Sequence, residues 1–271
     1  MKAIRCHTYG PPSNLVLESV PDLEPKENEV LVQVKACGIN FPDTLIIQGL
    51  YQIRPELPFT PGSDVAGVVL ALGDGVQHVS VGDAVIGFVA HGGLAEQVIL
   101  PAKACFPKPA PMDFPVAAAF MMAYGTAYHA LKDRGSLQAG ETLLVLGASG
   151  GVGLAAVELG KRMGATVIAA ASTNEKLELC REYGADHLLN YSGTDLKSAL
   201  KDLTGGKGVD VVLDPVGGAY AEPAFRAMAW EGRYLIVGFA AGTIPSIPLN
   251  LPLLKGASLV GVFWGQFAMT Q

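Results

Sequence analysis

The run Gly147-Ala148-Ser149-Gly150-Gly151-Val152-Gly153 has the residue types and spacing to hold a phosphate. Glycines let a backbone turn sharply and come close to a ligand. A helix that starts among them presents amides with no partner inside the helix, at the positive end of its dipole. The first glycine of a G-x-G-x-x-G pattern is replaced by Ala148, so the reading rests on what surrounds the run. Leu143 to Leu146 is all apolar, as a strand buried on both faces requires; a helix is expected over Val152 to Met163, Gly164 closes it, and Thr166 to Ala171 is a second apolar strand. These four features predict a dinucleotide-binding βαβ unit and weigh against an ordinary glycine-rich turn of an α/β protein. An NAD site places an acidic side chain roughly twenty residues past the glycines, to bind the ribose 2′-hydroxyl. Ser172, Thr173 and Asn174 stand there instead, with no carboxylate to repel a 2′-phosphate, and Lys176 lies just beyond. NADPH rather than NADH is the expected cofactor.

The elements that must position this unit fall into two halves. Up to about residue 112 the pattern is short strands and turns. Strands are expected at Glu29–Ala36, Asp64–Leu72, Asp83–Val89 and Leu94–Leu100, and one short helix runs from Asn40 through Ile47, with Asn40 as its cap and Pro42 in its first turn. From Asp113 an alanine- and methionine-rich helix is expected to run to Leu131. Beyond it strands (143–146, 166–171, 187–189, 209–213, 234–237, 258–263) alternate with helices (152–163, 175–183, 196–203, 219–229). That order gives an α/β fold with one doubly wound parallel sheet, the nucleotide lying across the carboxyl ends of its strands.

Composition narrows the function classes. The 271 residues carry a net charge of −6, which argues against a nucleic-acid surface. Apolar runs such as Val116 to Met122 fall short of the roughly 18 to 20 residues that span a bilayer, so no membrane association is expected. The amino terminus shows neither a signal-peptide core nor an arginine-rich presequence. Cys6, Cys37, Cys105 and Cys180 have no C-x-x-C spacing, and four such thiols read as buried structural groups in a reducing compartment. The cytoplasm is the expected location.

Several spaced motifs occur in one order: Ala36-Cys37-Gly38-Ile39-Asn40-Phe41-Pro42-Asp43, Gly49-Leu50-Tyr51, Pro61 to Val69, Ala123-Tyr124-Gly125-Thr126-Ala127, Gly147 to Gly153, Asn190-Tyr191, Asp214 to Gly218 and Gly238-Phe239. Across the whole chain they resemble the medium-chain dehydrogenase/reductase superfamily, and within it the zinc-free NADPH:quinone oxidoreductases related to ζ-crystallin. The run from Ile247-Pro248-Leu249-Asn250 to Phe263-Trp264-Gly265 is similar to the quinone oxidoreductase-like protein 2 subgroup.

The resemblance implies a GroES-like catalytic domain over residues 1–124, an NADPH-binding Rossmann domain over 125–264, and a stub at 265–271 in place of the segment that normally returns to the first domain. The short end is expected to leave that domain partly uncovered and the protein less stable and less active than a longer homologue. In zinc members the catalytic ligands are Cys, His and Cys; the matching positions here are Asn40, Ser63 and Ala118, none a good zinc ligand, and the four-cysteine structural zinc loop is missing. His91 and His129 read as hydrogen-bonded surface or core residues rather than ligands. Without a Lewis acid the acceptor must take hydride readily, which quinones and enones do. The resemblance places Asn40 and Tyr51 near the acceptor, with helix capping and a surface loop aromatic as their alternatives; Asp43 is expected to brace its helix. Thr126, Ala148, Ser149, Gly150, Gly151, Val152, Gly153, Ser172, Lys176, Tyr191, Gly238 and Phe239 are the expected cofactor contacts. Two other readings stay open, an enoyl-thioester reductase and a cofactor-binding protein without turnover. A homodimer through the last strand is also expected, because Ser258 to Phe263 has no later partner.

Overall fold

The structure, a computed structural model, describes residues 1–270. The chain divides into two compact units, one of residues Met1–Met122 and one from Ala123 onward. The sequence expectation sets its domain boundary at 124/125.

In the first unit β1 (Lys2–Cys6) and β2 (Leu15–Ser19) form an antiparallel pair. There follow β3 (Glu29–Gly38), α1 (Phe41–Ile46), β4 (Asp64–Leu72), β5 (Ala84–Phe88), β6 (Gln97–Pro101), β7 (Cys105–Pro107) and α2 (Phe114–Ala118). The sheet order is β6-β3-β4-β5-β7, antiparallel throughout. Val30 and Val32 of β3 meet Val65 and Val69 of β4, Val85 of β5, and Val98 and Leu100 of β6 in one core. The alternation of apolar residues in these strands is what buries that face and leaves Gln33 and Lys35 outside.

The single helix expected over Asp113–Leu131 is broken. α2 ends at Ala118, α3 runs Phe120–Tyr128, and His129–Arg134 continue as π-helical turns. Asp113 caps the start of α2, and Asp64 explains the break by taking an amide that a continuous helix would satisfy itself. The Val116 amide donates to Asp113 Oδ1 at 2.8 Å in α2, and the Met122 amide donates to Asp64 Oδ2 at 2.9 Å in the first turn of α3.

The second unit is built on β8 (Thr142–Leu146), α4 (Gly151–Arg162), β9 (Thr166–Ala171), α5 (Asn174–Glu182), β10 (His187–Asn190), α6 (Leu196–Leu203), β11 (Val209–Asp214), α7 (Ala221–Arg226), β12 (Met228–Ile236), α8 (Asn250–Lys255), β13 (Ser258–Gly261) and α9 (Trp264–Thr270). The helix expected over 219–229 is shorter, since β12 already begins at Met228. The expected stub at 265–271 carries α9, with Trp264 buried. The sheet order is β10-β9-β8-β11-β12-β13, all parallel, and it reverses direction between β8 and β11. Alternate strand residues feed two cores. Leu143, Val145, Ala169, Ala171, Leu213 and Leu235 pack with Ala155, Ala156 and Val157 of α4 and Leu177 of α5. Leu144, Leu146, Ile168, Ala170, Val212 and Tyr234 pack on the other face with Leu200 of α6 and Phe225 of α7. Helices on both faces are why these strands read as unbroken apolar runs. No helix among the described residues is long and apolar enough to cross a membrane.

Candidate functional site

In the second unit, the turn after β8 lies at the point where the strand order reverses, which is where open α/β sheets bind ligands. Gly147 adopts φ +59°, and a Cβ there would stand 2.6 Å from Val216, so this position takes glycine. The Ala148 amide donates to the Ala170 carbonyl at 3.0 Å and that of Gly150 to the Gly147 carbonyl at 3.0 Å, folding the loop back on the sheet. The first bond of α4 runs from the Leu154 amide to the Gly150 carbonyl at 2.7 Å, so the amides of Gly151, Val152 and Gly153 have no acceptor within the helix. Gly153 is the close-packing glycine: a Cβ on it would lie 2.3 Å from the Gly147 carbonyl oxygen.

At the carboxyl ends of β9 and β10 three of the expected contacts come together. Lys176 Nζ donates to Ser172 Oγ at 3.3 Å, the Ser192 hydroxyl donates to the Ser172 carbonyl at 2.8 Å, and the Tyr191 amide donates to the Ala171 carbonyl at 3.1 Å. The Tyr191 ring lies on Tyr220 with centroids 4.2 Å apart, and burial first, then Tyr220 and Asp214, push its hydroxyl above the usual phenol range. Asn174 accepts from Asn190 Nδ2 at 2.9 Å beside them.

Gly238 and Phe239 follow β12 and fold onto the turn after β11. The Gly238 amide reaches the Asp214 carbonyl at 3.3 Å, and the Ala240 amide reaches that of Pro215 at 3.1 Å. That turn is held by Asp214, whose Oδ1 accepts from the amides of Val216 (2.7 Å) and Gly217 (2.8 Å). Asp214 and Ser192 had not been singled out as site residues; the Asp-Pro-Val-Gly-Gly motif was the signal for the first. Thr126 is buried in α3, which approaches α4 near Gly151 through Ala123.

The first unit holds a second cluster. Asn40 is the N-cap of α1, its backbone amide donating to Asp43 Oδ2 at 2.8 Å, while its side chain faces the Asp43 amide short of hydrogen-bond geometry. Asp43 therefore braces its helix, and its Oδ1 accepts from Ser63 Oγ at 3.4 Å. Burial raises the Asp43 carboxyl above the usual range, against hydrogen bonds from Asn40, Ser63 and Gly62. Tyr51 packs against Cys6, Ile46, Ile47 and Phe59, and burial followed by Asp43 raises its hydroxyl. Asp64, at the start of β4, is sealed from solvent and had not been singled out. Its Oδ2 accepts from Met122; its Oδ1 and the Nδ2 of Asn40, which face each other, are both buried with no partner in hydrogen-bond geometry. Burial pushes the Asp64 carboxyl up to about 7, with Asp43 adding to the rise. Cys37, at the end of β3, is pushed up to about 12 by burial and by Asp43 and Asp64.

Quinone oxidoreductase-like protein 2 of Bos taurus is 45% identical over 254 residues, 93% of this chain and 73% of that protein. Two family models match as well, the alcohol dehydrogenase GroES-like domain over residues 26–110 and the zinc-binding dehydrogenase over 151–271. The chain belongs to the medium-chain dehydrogenase/reductase superfamily, among its quinone oxidoreductases. It is an oxidoreductase by that membership. Within the superfamily, the crystal structure of Escherichia coli quinone oxidoreductase complexed with NADPH superposes with a TM-score of 0.92 at 32% identity, covering 98% of this chain and 82% of that one. That of CurK enoyl reductase gives 0.90 at 29%, covering 100% and 83%.

The zinc positions of the superfamily stay together here, since Gly38, two residues before Asn40, lies against the Ala118 carbonyl and Ser63 joins Asn40 through Asp43. An amide, a hydroxyl and a methyl do not make a zinc site. Among the described residues no three His, Cys, Asp or Glu side chains are grouped as one either. His91 is edge-on to Phe59, with ring centroids 5.9 Å apart, and His129 Nδ1 pairs with Asp133 at 2.8 Å while its ring stacks on Phe267.

Proposed function

We propose that this chain is a zinc-independent reductase that passes hydride from NADPH to a quinone or an α,β-unsaturated carbonyl. The donor set at Asn40, Ser63 and Ala118 carries the reading: it offers a hydrogen bond to an acceptor oxygen but no Lewis acid to activate an alcohol. A nicotinamide supplies the hydride when bound. The amides of Gly151, Val152 and Gly153 hold its pyrophosphate, Ser172, Lys176 and Tyr191 its 2′-phosphate, and Thr126 with the backbone of Gly238 and Phe239 the nicotinamide end. Asn40 donates to the acceptor carbonyl, and Tyr51 stacks and donates beside it, so that the oxyanion formed is solvated until water protonates it. The protein works in the cytoplasm as a homodimer joined through β13, the edge strand of the second sheet.

An enoyl thioester is the second reading, favoured by the likeness to an enoyl reductase. Stopped-flow loss of NADPH absorbance with 1,4-benzoquinone and then with crotonyl thioester separates the two. Fast oxidation by the quinone alone is expected. Oxidation by the thioester alone selects the second reading, and NADPH binding with neither oxidised leaves a cofactor-binding protein without turnover.

A further inference from the structure

The backbone of Tyr191 is pinned, and its side chain is not. Its amide donates to the Ala171 carbonyl at 3.1 Å, and the next residue is tied twice, the Ser192 hydroxyl donating to the Ser172 carbonyl at 2.8 Å and the Ser192 amide to Asn190 Oδ1 at 3.0 Å. None of these bonds fixes the torsions that swing the phenol. The Tyr191 hydroxyl has no hydrogen-bond partner among the described residues. Its raised pKa keeps it an O–H donor, open to a ligand. What the ring does meet is Tyr220, with centroids 4.2 Å apart and planes tilted by 39°, and both rings lie half-buried against the core that α6 and α7 build.

Tyr220 is set by its backbone. It ends a single 3-10 turn, Gly218–Tyr220, that leads into α7. Gly217 and Gly218 before it adopt φ +66° and +60°, and a Cβ on either would lie 2.9 Å from Phe239 or Ala241, so only glycine makes this turn. The Gly218 amide donates to the Thr243 carbonyl at 3.0 Å, and buried Asp214 holds the amides of Val216 and Gly217. β9 and β8 stand between β10 and β11 in the sheet, so the contact of Tyr191 with Tyr220 crosses that end of it.

We propose that Tyr220 is a positioning residue for the 2′-phosphate of the cofactor, its ring fixing that of Tyr191 so that the Tyr191 hydroxyl donates to the phosphate. The inference rests on the proposed contact between Tyr191 and the 2′-phosphate, and it adds a residue that touches Tyr191 rather than the phosphate. A donor already in place binds more tightly than one that must be ordered on binding. NADH carries a hydroxyl where NADPH carries the phosphate and gains little from it, so Tyr220 helps to tell the two apart. The ring does this and the Tyr220 hydroxyl does not.

The test measures the dissociation constants of NADPH and NADH by fluorescence titration, with no turnover needed. Tyr191→Phe is expected to weaken NADPH about tenfold or more, as loss of a hydrogen bond to a phosphate implies, with NADH unchanged. Tyr220→Ala is expected to weaken NADPH by about twofold to tenfold, the range of an aromatic pair, again with NADH unchanged, and Tyr220→Phe to bind both as the wild type does. Because Tyr220 acts through Tyr191, adding Tyr220→Ala to Tyr191→Phe is expected to cost nothing further. Tyr220→Ala that weakens both nucleotides equally, Tyr220→Phe that behaves like Tyr220→Ala, or a full further loss in the double variant overturns the proposal. If Tyr191→Phe weakens NADPH and Tyr220→Ala does not, the proposal alone fails. If Tyr191→Phe leaves NADPH binding unchanged, the phosphate contact of Tyr191 fails and takes the proposal with it.

Discussion

The hydroxyl of Tyr234 donates to Oδ2 of Asp214 at 2.6 Å, and both residues are sealed from solvent. Asp214 uses its other oxygen for the amides of Val216 and Gly217, so one buried pair fixes the turn that lies over Gly147 and supports Gly238. Tyr234→Phe keeps the ring among Phe225 and its neighbours but leaves a buried carboxylate oxygen without a donor, a cost of about 1–3 kcal/mol. The expected result is a lower melting temperature together with a weaker NADPH complex, read by thermal melting and by fluorescence titration. A variant that loses stability yet binds NADPH as the wild type does would show that the turn has no part in the site.

The glycines of the loop have separable tasks. Gly153→Ala puts a Cβ 2.3 Å from the Gly147 carbonyl oxygen, and backbone must move; both stability and NADPH affinity are expected to fall, the latter by tenfold or more, as about 1.4 kcal/mol lost from binding implies. At Gly151 the nearest atom to an added Cβ is Ala123 Cβ at 3.9 Å. Gly151→Ala is therefore expected to melt close to the wild type while still binding NADPH poorly, because the methyl occupies the space the pyrophosphate needs. Equal damage to melting from both substitutions counts against this division.

Much of this loop was legible because its constraints are local. An apolar strand, glycines and a helix follow one another within a few tens of residues, and β8 and β9 are apolar runs that end at a glycine or a polar turn. The break at Ala119 was not legible, since it depends on Asp64 accepting from Met122, 58 residues away in sequence. Asp64 itself reads as the first residue of a strand; only the fold brings it to Asn40, Asp43 and Cys37. Short elements such as β7 and α8 carry too few residues to show a period, and Met228 reads as the end of a helix because Ala227, Met228 and Ala229 suit either state.

Lys176→Ala tests the choice of dinucleotide. Its ammonium is held at Ser172, beside Ser192 and Tyr191, at a strand end without a carboxylate. A charged hydrogen bond to phosphate is worth about 1.5–3 kcal/mol. The Michaelis constant for NADPH is expected to rise roughly tenfold to a hundredfold on that scale, with NADH changed little. Equal effects on both cofactors would make Lys176 a solvated helix lysine.

The same Asp64 that faces Asn40 should shape stability against pH. Its carboxyl titrates at about 7 in the folded chain and at about 4 unfolded, so between those values the native state holds the extra proton. Stability from this group is then full below about pH 4 and declines as pH rises through about 7; Asp43, also raised, has the same sign. Glu141, held low first by Arg233, has the opposite sign and loses its contribution in acid. Urea unfolding of wild type and Asp64→Asn should therefore diverge with pH. The variant is expected to gain on the wild type by a few kcal/mol at pH 8 relative to pH 5. A difference that is the same at both pH values would mean that Asp64 is an ordinary carboxylate.

β13 pairs with β12 along one side, and its other side is an open edge of the sheet. An open edge presents amides and carbonyls in the spacing that a second strand needs, and proteins either cover such an edge or use it. The surface near it in sequence is apolar: Leu253 and Leu254 of α8 are 78% and 70% exposed, and Leu259 of β13 is 37% exposed. Pairing of β13 with its own copy about a twofold axis continues the sheet and places the same leucines of each protomer at the junction, as an isologous interface requires. Light scattering at micromolar concentration is expected to give twice the protomer mass. Leu253→Glu combined with Leu254→Glu alters side chains that contribute little to the protomer core, so the variant should melt near the wild type as an isolated protomer while the charges keep two copies apart. A wild type that scatters as a single protomer, or a doubly substituted variant that remains a dimer, removes this edge as the interface.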